Sequence, residues 1–523
     1  MPDTRTDGQP GRLRPLLLMR AGNLLVLGVL ALWFLVWPGL RLAWDLTDPA
    51  LRRPTGDSPR AAWRVHRALA PRLATWANAR VDTQAGAAVP DLLDVPVTEW
   101  PMFTCVFYLG ATAALQAEWD RHPRGPAPRE YARDAIAACL RLITDPATHT
   151  WVRMHWGDDY LHRENVFFRG MLIQGLTDYE RVTGDRRHHD LLRDQVETLA
   201  RALDAAPHGL LHDYPGECYP LDVLAAVWCI RRADPLLGTD HRAFAAREWR
   251  AFSGARLDAC GLLAYEADVA SGRSDSPSRG IGNSYALLYA PDLYPERAAE
   301  WYALYTRHFW QERIGAAGYR EYPKDMTDKE WLVVPDSGPV VWGFSPAGNA
   351  YAVGAARANG RFDQAWPLSA QVLAAAWPLP NGRWLGARIL SAAARGHAPY
   401  LGEANLLFLF TRQPVAGLPA VTGGRLPPII AVAFLFYLGL GGLFLWLIGR
   451  QWRRLGRADG AAAARIPRGT VQFTLWLTLY AAVPAVLAWK GLLAAFTVLL
   501  AAQFLPRPGR PDRAPAALGT QET

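Results

Sequence analysis

HRENVFFRGMLIQGLTDYERVTGDRRHHDLLRDQVETLARALDA, residues 162–205, reads as two helices joined by the short turn TGDR. Apolar residues recur at helical spacing on both sides of that turn, and no alternating β-branched run interrupts them. The pattern continues in both directions along the chain. It predicts helices at 98–120, 128–144, 162–183, 188–205, 220–233, 239–255, 279–291, 294–314, 345–358, 362–376, 382–396 and 401–412. The central region is therefore expected to be all-α, with about twelve helices.

The connections carry more information than the helices. RHPRGPA, TGDR, ADPLLG, AP, NGR and GHAP are short, whereas 145–161, 206–219, 256–278 and 315–344 are long and irregular. Short and long connections alternate for most of the series. In a set of antiparallel helical hairpins this alternation sends every long connection to one end. The long segments are rich in Trp, Tyr, His and carboxylates, which points to function rather than disorder. The expected fold is an (α/α)6 toroid, a six-hairpin barrel whose inner helices line a bowl with the long loops at its mouth. No repeat of fixed period supports an open solenoid instead.

Apolar segments flank this region. Residues 21–38, AGNLLVLGVLALWFLVWP, carry no charge and are about long enough to cross a hydrocarbon core. WPGLRLAW, which overlaps their end, is a poor cleavage site, so the segment reads as an anchor rather than a removable leader. A second span is expected near 427–449, PPIIAVAFLFYLGLGGLFLWLIG. Residues 471–506 are apolar except for Lys490 and read as a helical hairpin.

The chain of 523 residues is 50% hydrophobic, and 56 Lys+Arg against 48 Asp+Glu give a net charge of +8. Much of that excess borders the apolar segments: Arg5, Arg12, Arg14 and Arg20, then Arg450, Arg453, Arg454, Arg457, Arg465 and Arg468, then Arg507, Arg510 and Arg513. This placement marks topology and argues against nucleic-acid binding. Keeping all three arginine groups inside gives one organisation, that of an integral membrane protein of the bacterial inner-membrane type. A cytoplasmic N-terminus and first transmembrane helix occupy 1–44, and an extracytoplasmic domain occupies 45–425. A second transmembrane helix follows at 426–450, a basic cytoplasmic loop at 451–470, the membrane hairpin at 471–506 and a cytoplasmic tail at 507–523.

Cys105, Cys139, Cys218, Cys229 and Cys260 are odd in number and widely spaced, which does not describe a disulfide framework. No zinc-ligand spacing, Rossmann glycine pattern or P-loop is present, so no cofactor is expected.

Four segments on the long-loop side carry reactive side chains. WVRMHWGDDYLHRENVFFRG (151–170) holds His155, Trp156, Asp158, Asp159, His162, Glu164 and Asn165. HDYPGECYPLDV (212–223) crowds Asp213, Tyr214, Glu217, Cys218, Tyr219 and Asp222 into a turn that enters a helix at Pro220. The dipole of that helix favours ionised carboxylates, whereas burial opposes them. Their pKa values can therefore be driven apart, as general acid-base chemistry requires. YEADVASGRSDSPSRGIGNSYALLYAP (265–291) offers Asn283, Ser284 and Tyr285, and 318–357 offers Asp336 and Trp342. The expected catalytic set is Asp213, Glu217, Asp222, His162 and Asp336. Cys218, Tyr214, Tyr219, Trp156, Asn165, Asn283 and Trp342 are expected to shape the substrate pocket.

HRENVFFRGMLIQGLTDYERVTGD (162–185), followed by HGLLHDYPGECYPLDV, resembles the linalool dehydratase-isomerase family, in which a histidine precedes a similar helix ending in YExxTGD. The resemblance spans about 95–412. It implies an (α/α)6 barrel with its site in the bowl, and it maps His162 onto the family's active-site histidine. The family's cysteine-bearing loop holds two cysteines. Here only Cys218 matches, and His212 stands near the place of the other.

A lyase or isomerase acting on a small molecule is thus the first functional expectation, with an acid from the Asp213/Glu217 pair protonating a leaving hydroxyl. A carbohydrate-active enzyme, either a glycoside hydrolase or a polysaccharide lyase, is the second, with Trp156, Tyr160, Trp331 and Trp342 as stacking platforms for a glycan. A non-catalytic envelope binding protein is the third. In each case the lipid bilayer is the one expected partner besides the ligand.

Overall fold

The computed structural model describes residues 13–84, 95–274, 276–390 and 396–457. They are mostly helical with a few short strands, and they divide into two compact units. The expected membrane hairpin at 471–506 and the tail lie outside the described residues, as does most of the basic loop.

The larger unit runs from Leu40 to Phe434. Its main helices, numbered in chain order, are α1 (Arg60–Asp82), α2 (Trp100–Arg121), α3 (Arg133–Thr144), α4 (Val166–Thr183), α5 (His189–Ala205) and α6 (Pro220–Leu237). They continue as α7 (Arg242–Glu248), α8 (Gly280–Leu293), α9 (Pro295–Phe309), α10 (Pro346–Ala358), α11 (Phe362–Ala376) and α12 (Leu401–Thr411).

Odd and even helices differ in what they bury. Along α1, Ala61, Val65, Leu69, Leu73 and Ala77 form one buried stripe, and α5 and α9 are likewise buried on one side. The even helices are buried nearly all round, as expected of elements surrounded by others. Their neighbours form a closed circuit: α2 packs on α4, α4 on α6, α6 on α8, α8 on α10, α10 on α12 and α12 back on α2. The odd helices pack against this circuit, α5 on α4 and α6, α7 on α6, α9 on α8, and α11 on α10. Small residues permit the closest approaches. A methyl group at Gly354 of α10 would lie 2.7 Å from side-chain carbons of both Leu288 in α8 and Leu409 in α12.

Three expectations need correction. A helix at 60–82 was not expected, because Pro71 interrupts it and arginines dominate its outer face. The helix expected at 382–396 is described only over Leu385–Leu390, and it packs beside α11 and α12 without joining the circuit. The helix expected at 294–314 ends at Phe309, where strands β1 (Trp310–Arg313) and β2 (Ala316–Tyr319) begin. Ile314 and Gly315 both take positive φ, 55° and 72°, the geometry of a two-residue hairpin turn, and no helix passes through such a pair. A second hairpin pairs β3 (Trp331–Val334) with β4 (Gly338–Val341).

The smaller unit comprises Met1–Gly39 and Leu435–Thr523. Its described parts come from two candidate membrane spans, Ala21–Leu46 and Ile429–Arg453. Leu25, Val26, Val29, Leu435 and Leu443 are exposed, as apolar side chains that face lipid would be. The first helix contains a π turn at Leu32–Val36. Pro38 lies just beyond it and supplies no N–H, which leaves the preceding carbonyls free to shift register. Gly39 and Gly441 let the two helices meet: an added methyl would come within 2.6 Å of Leu438 at the first position and 2.8 Å of Val36 at the second.

Candidate active site

The even helices begin with chemistry-bearing residues. At the start of α6, the Asp213 N–H donates to the Glu217 carbonyl and the Glu217 N–H to the Tyr214 carbonyl, both at 2.9 Å, around Gly216 at φ 89°. This turn aims the Asp213 carboxyl back at the helix entry, where Oδ2 accepts the Tyr219 N–H at 2.7 Å. Asp213 is only 1% exposed, and its Oδ1 is buried with no hydrogen-bond partner. Burial, reinforced by the neighbouring charge of Asp222, raises this carboxyl well above the usual range.

Asp222 is the third residue of α6. The helix dipole favours its anion, yet burial outweighs the dipole and pushes its pKa up to about 7. It still keeps partial solvent access.

Glu99, on which the charge of Asp222 acts, stands directly before the first residue of α2. Burial pushes Glu99 up to about 8, with further contributions from the charges of Asp222, Glu217 and Asp336. Sequence reasoning missed Glu99. Its signal was the run Glu99-Trp100-Pro101, an acid just ahead of a proline that opens a helix, the same device as Tyr219-Pro220.

Aromatic groups close the circle. Phe103 of α2 lies 5.2 Å from Phe167 of α4 and 5.1 Å from Phe107. Phe107 meets Tyr351 of α10 at 6.4 Å, and Tyr351 meets Tyr285 of α8 at 5.4 Å. The charge of Asp222 reaches both tyrosines, and Tyr351 accepts support from Asn405 of α12. Each even helix thus contributes a side chain to one carboxyl-and-aromatic group.

Asp336 is held at the edge of this group. Its Oδ1 accepts from Arg279 Nη2 at 2.7 Å and its Oδ2 from the Tyr265 hydroxyl at 2.5 Å. Arg279 also donates to Glu321 at 2.9 Å and lies 4.1 Å from the centre of the Tyr265 ring. With its carboxylate committed to Arg279 and Tyr265, Asp336 anchors the start of α8. Arg279, Glu321 and Tyr351 were not among the expected site residues.

The other expected residues divide. Tyr219 and Cys218 adjoin Asp213. Tyr219 donates its hydroxyl to Glu217 at 2.9 Å, while Glu217 itself is exposed at the rim. Burial and the charges of Asp213 and Asp222 raise the Cys218 thiol far out of the reactive range, so it acts as a packing group. Tyr214 lies in the same turn, 6.4 Å from Trp151, with its hydroxyl buried and unpartnered. Asn165, buried at φ 36°, starts α4 with its amide nitrogen unpartnered, a strained conformation of the kind found at functional positions. Asn283 spends its amide on the carbonyls of Leu263 and Arg279 and holds backbone.

His162 does not face the carboxyls. It is exposed and bonds Asp159 at 3.0 Å and Asp194 at 3.2 Å, because the short turn Tyr160–His162 carries it outward before α4 begins. His212 instead bonds Glu164 at 2.6 Å near the turn. Trp342 is exposed and packs on Trp331 at 5.0 Å, and positive φ at Trp342 turns the chain at the end of β4. Trp156 is half-buried with its indole nitrogen unpartnered.

All five cysteines are free, and among the described residues no group of three or more His, Cys, Asp or Glu side chains is placed to hold a metal ion. A recess of about 340 Å³ between α1 and α3, lined by Ala70, Thr75, Asn78, Tyr131 and Asp134, lies outside this site and offers a single carboxylate. No family model and no curated protein matches the chain.

Proposed function

We propose that the larger unit is an (α/α)6 toroid enzyme of the lyase or isomerase type, acting on a small hydroxylated molecule by general acid-base chemistry. The observation that carries this reading is the pairing of Glu99 and Asp222 at the starts of α2 and α6, with carboxyls pushed up to about 8 and about 7. Two carboxyls raised toward neutrality, with the charge of Asp222 acting on Glu99, are suited to give and take protons.

Glu99 is the acid. It gives its proton to the leaving hydroxyl, the C–O bond breaks and water departs. Asp222 is the base: it takes a proton from the adjoining carbon, and the electrons of that C–H bond form the new double bond. One proton is given and one taken, so exchange with water resets the pair. Asp213 is a positioning residue that holds the entry of α6. The closed circuit of even helices supports the toroid, and the aromatic lining supports an apolar substrate of the kind implied by resemblance to the linalool dehydratase-isomerase family.

The test is turnover of a panel of allylic and tertiary alcohols, with aryl glycosides as the competing panel. Glu99→Gln and Asp222→Asn should each lower alcohol turnover at least about a hundredfold, the scale of a lost acid or base, while melting temperature holds. Intact turnover in both variants sinks the mechanism. Hydrolysis of glycosides with alcohols untouched replaces it with the carbohydrate reading.

A further inference from the structure

The β3–β4 hairpin carries an apolar face with nothing over it. In its antiparallel register Trp331 lies opposite Val341, and Val333 opposite Pro339. These four share one face and all are exposed, Val333 at 80% and Trp331 at 60%. Val334 and Val340 bury the other face, so the hairpin is anchored and its outer side is free to meet a partner. Trp342 extends the patch by packing on Trp331. Cross-strand apolar neighbours left open to water mark an interaction surface.

The partner is indicated by what the hairpin is tied to. Gln311 of β1 donates to the Trp342 carbonyl at 2.8 Å, and Arg313 pairs with Glu330, the residue before Trp331. The turn after Arg313 exposes Ile314 at 56%, and the Gly315 carbonyl accepts the Ile429 N–H at 2.9 Å. Ile429 is the first residue of the second candidate span. The two hairpins are thus bonded to the point at which the chain turns apolar and enters a bilayer.

We propose that the exposed face formed by Trp331, Val333, Pro339, Val341 and Trp342, together with Ile314, docks onto the lipid bilayer beside that span. Tryptophan is the residue that membrane interfaces favour, because its ring is apolar with one polar edge. The docking adds a contact with the membrane beyond the spans themselves.

The test uses the full chain in lipid nanodiscs. In a Cys260→Ser background, where the remaining cysteines are buried, Val333→Cys and Ile314→Cys each carry an environment-sensitive NBD label. Glu197→Cys on the exposed side of α5 is the control. Interfacial residues sit about 5–10 Å into the headgroup and acyl boundary, so lipid bearing a nitroxide at acyl carbon 5 should remove about half of the emission at 333 and 314. The label at 197 should keep its emission. Water-like emission without quenching at both hairpin positions overturns the proposal. Blue-shifted emission that the nitroxide lipid leaves unquenched also overturns it, because a protein surface then covers the patch.

Discussion

At the scale of single residues, the pKa of Glu99 makes a statement about stability as well as chemistry. Its carboxyl titrates near 4.5 in the unfolded chain and about 8 in the folded one, and Asp222 moves from 3.8 to about 7. A raised acid favours folding while it stays protonated, so this contribution is present below the unfolded pKa and is lost as pH climbs through the folded one. We therefore expect the melting temperature to fall between pH 6 and pH 9, and to fall less in Glu99→Gln, by at least about 3 °C over that range. Equal pH slopes in the two proteins would show that Glu99 does not hold its proton in the folded state. This residue also marks what the sequence conceals. Asp213 and Asp222 stood out in the sequence because they crowd one turn beside a helix-opening proline. Glu99 stands more than a hundred residues earlier, and only folding brings it to them. His162 was misread for the converse reason: nearness in sequence to Asn165 and α4 says nothing about the side to which a one-turn helix swings its side chain.

Among elements, the start of α8 is tightly constrained. Arg279, just before it, holds Asp336, Glu321 and the Tyr265 ring, and the next residue, Gly280, donates its N–H to the Glu321 carbonyl at 2.7 Å. A methyl group on Gly280 would lie 2.0 Å from the Arg320 carbonyl oxygen, a backbone atom that cannot step aside. Gly280→Ala should therefore cost about 2 kcal/mol or more and shift Arg279 off Asp336, lowering activity together with melting temperature. An unchanged melting point would mean that this contact is looser than 2.0 Å implies. The element pattern itself was largely open to sequence reading, since the buried stripes of α5 and α9 and the unbroken apolar character of α8 and α12 repeat in residue type what packing demands. The β1–β2 hairpin was not. Its turn uses Ile314 at positive φ, and a β-branched residue there gives no turn signal in the sequence.

For the whole molecule, the decisive variable is which side of a membrane the larger unit occupies. The chain leaves one candidate span at Leu46 and enters the other at Ile429, and with both helices crossing a membrane the two ends of the intervening region would share a side. Arginines choose that side, because they are held back from translocation and are abundant before the first span and after the second. With Arg12, Arg14 and Arg20 preceding one span, Arg450 and Arg453 at the end of the other and Arg454 and Arg457 following it, the intervening residues should lie outside the cytoplasm. Alkaline phosphatase fused after residue 420 should then be active, since it folds only where its disulfides form. A fluorescent protein fused at the C-terminus should be fluorescent in the cytoplasm. Placing both reporters at both positions makes the readings complementary, so an inactive phosphatase cannot be mistaken for a misfolded one. If the two positions report the same compartment, the arginine-rich flanks do not set the topology, and a substrate for the Glu99–Asp222 pair would have to be sought on the other side of the membrane.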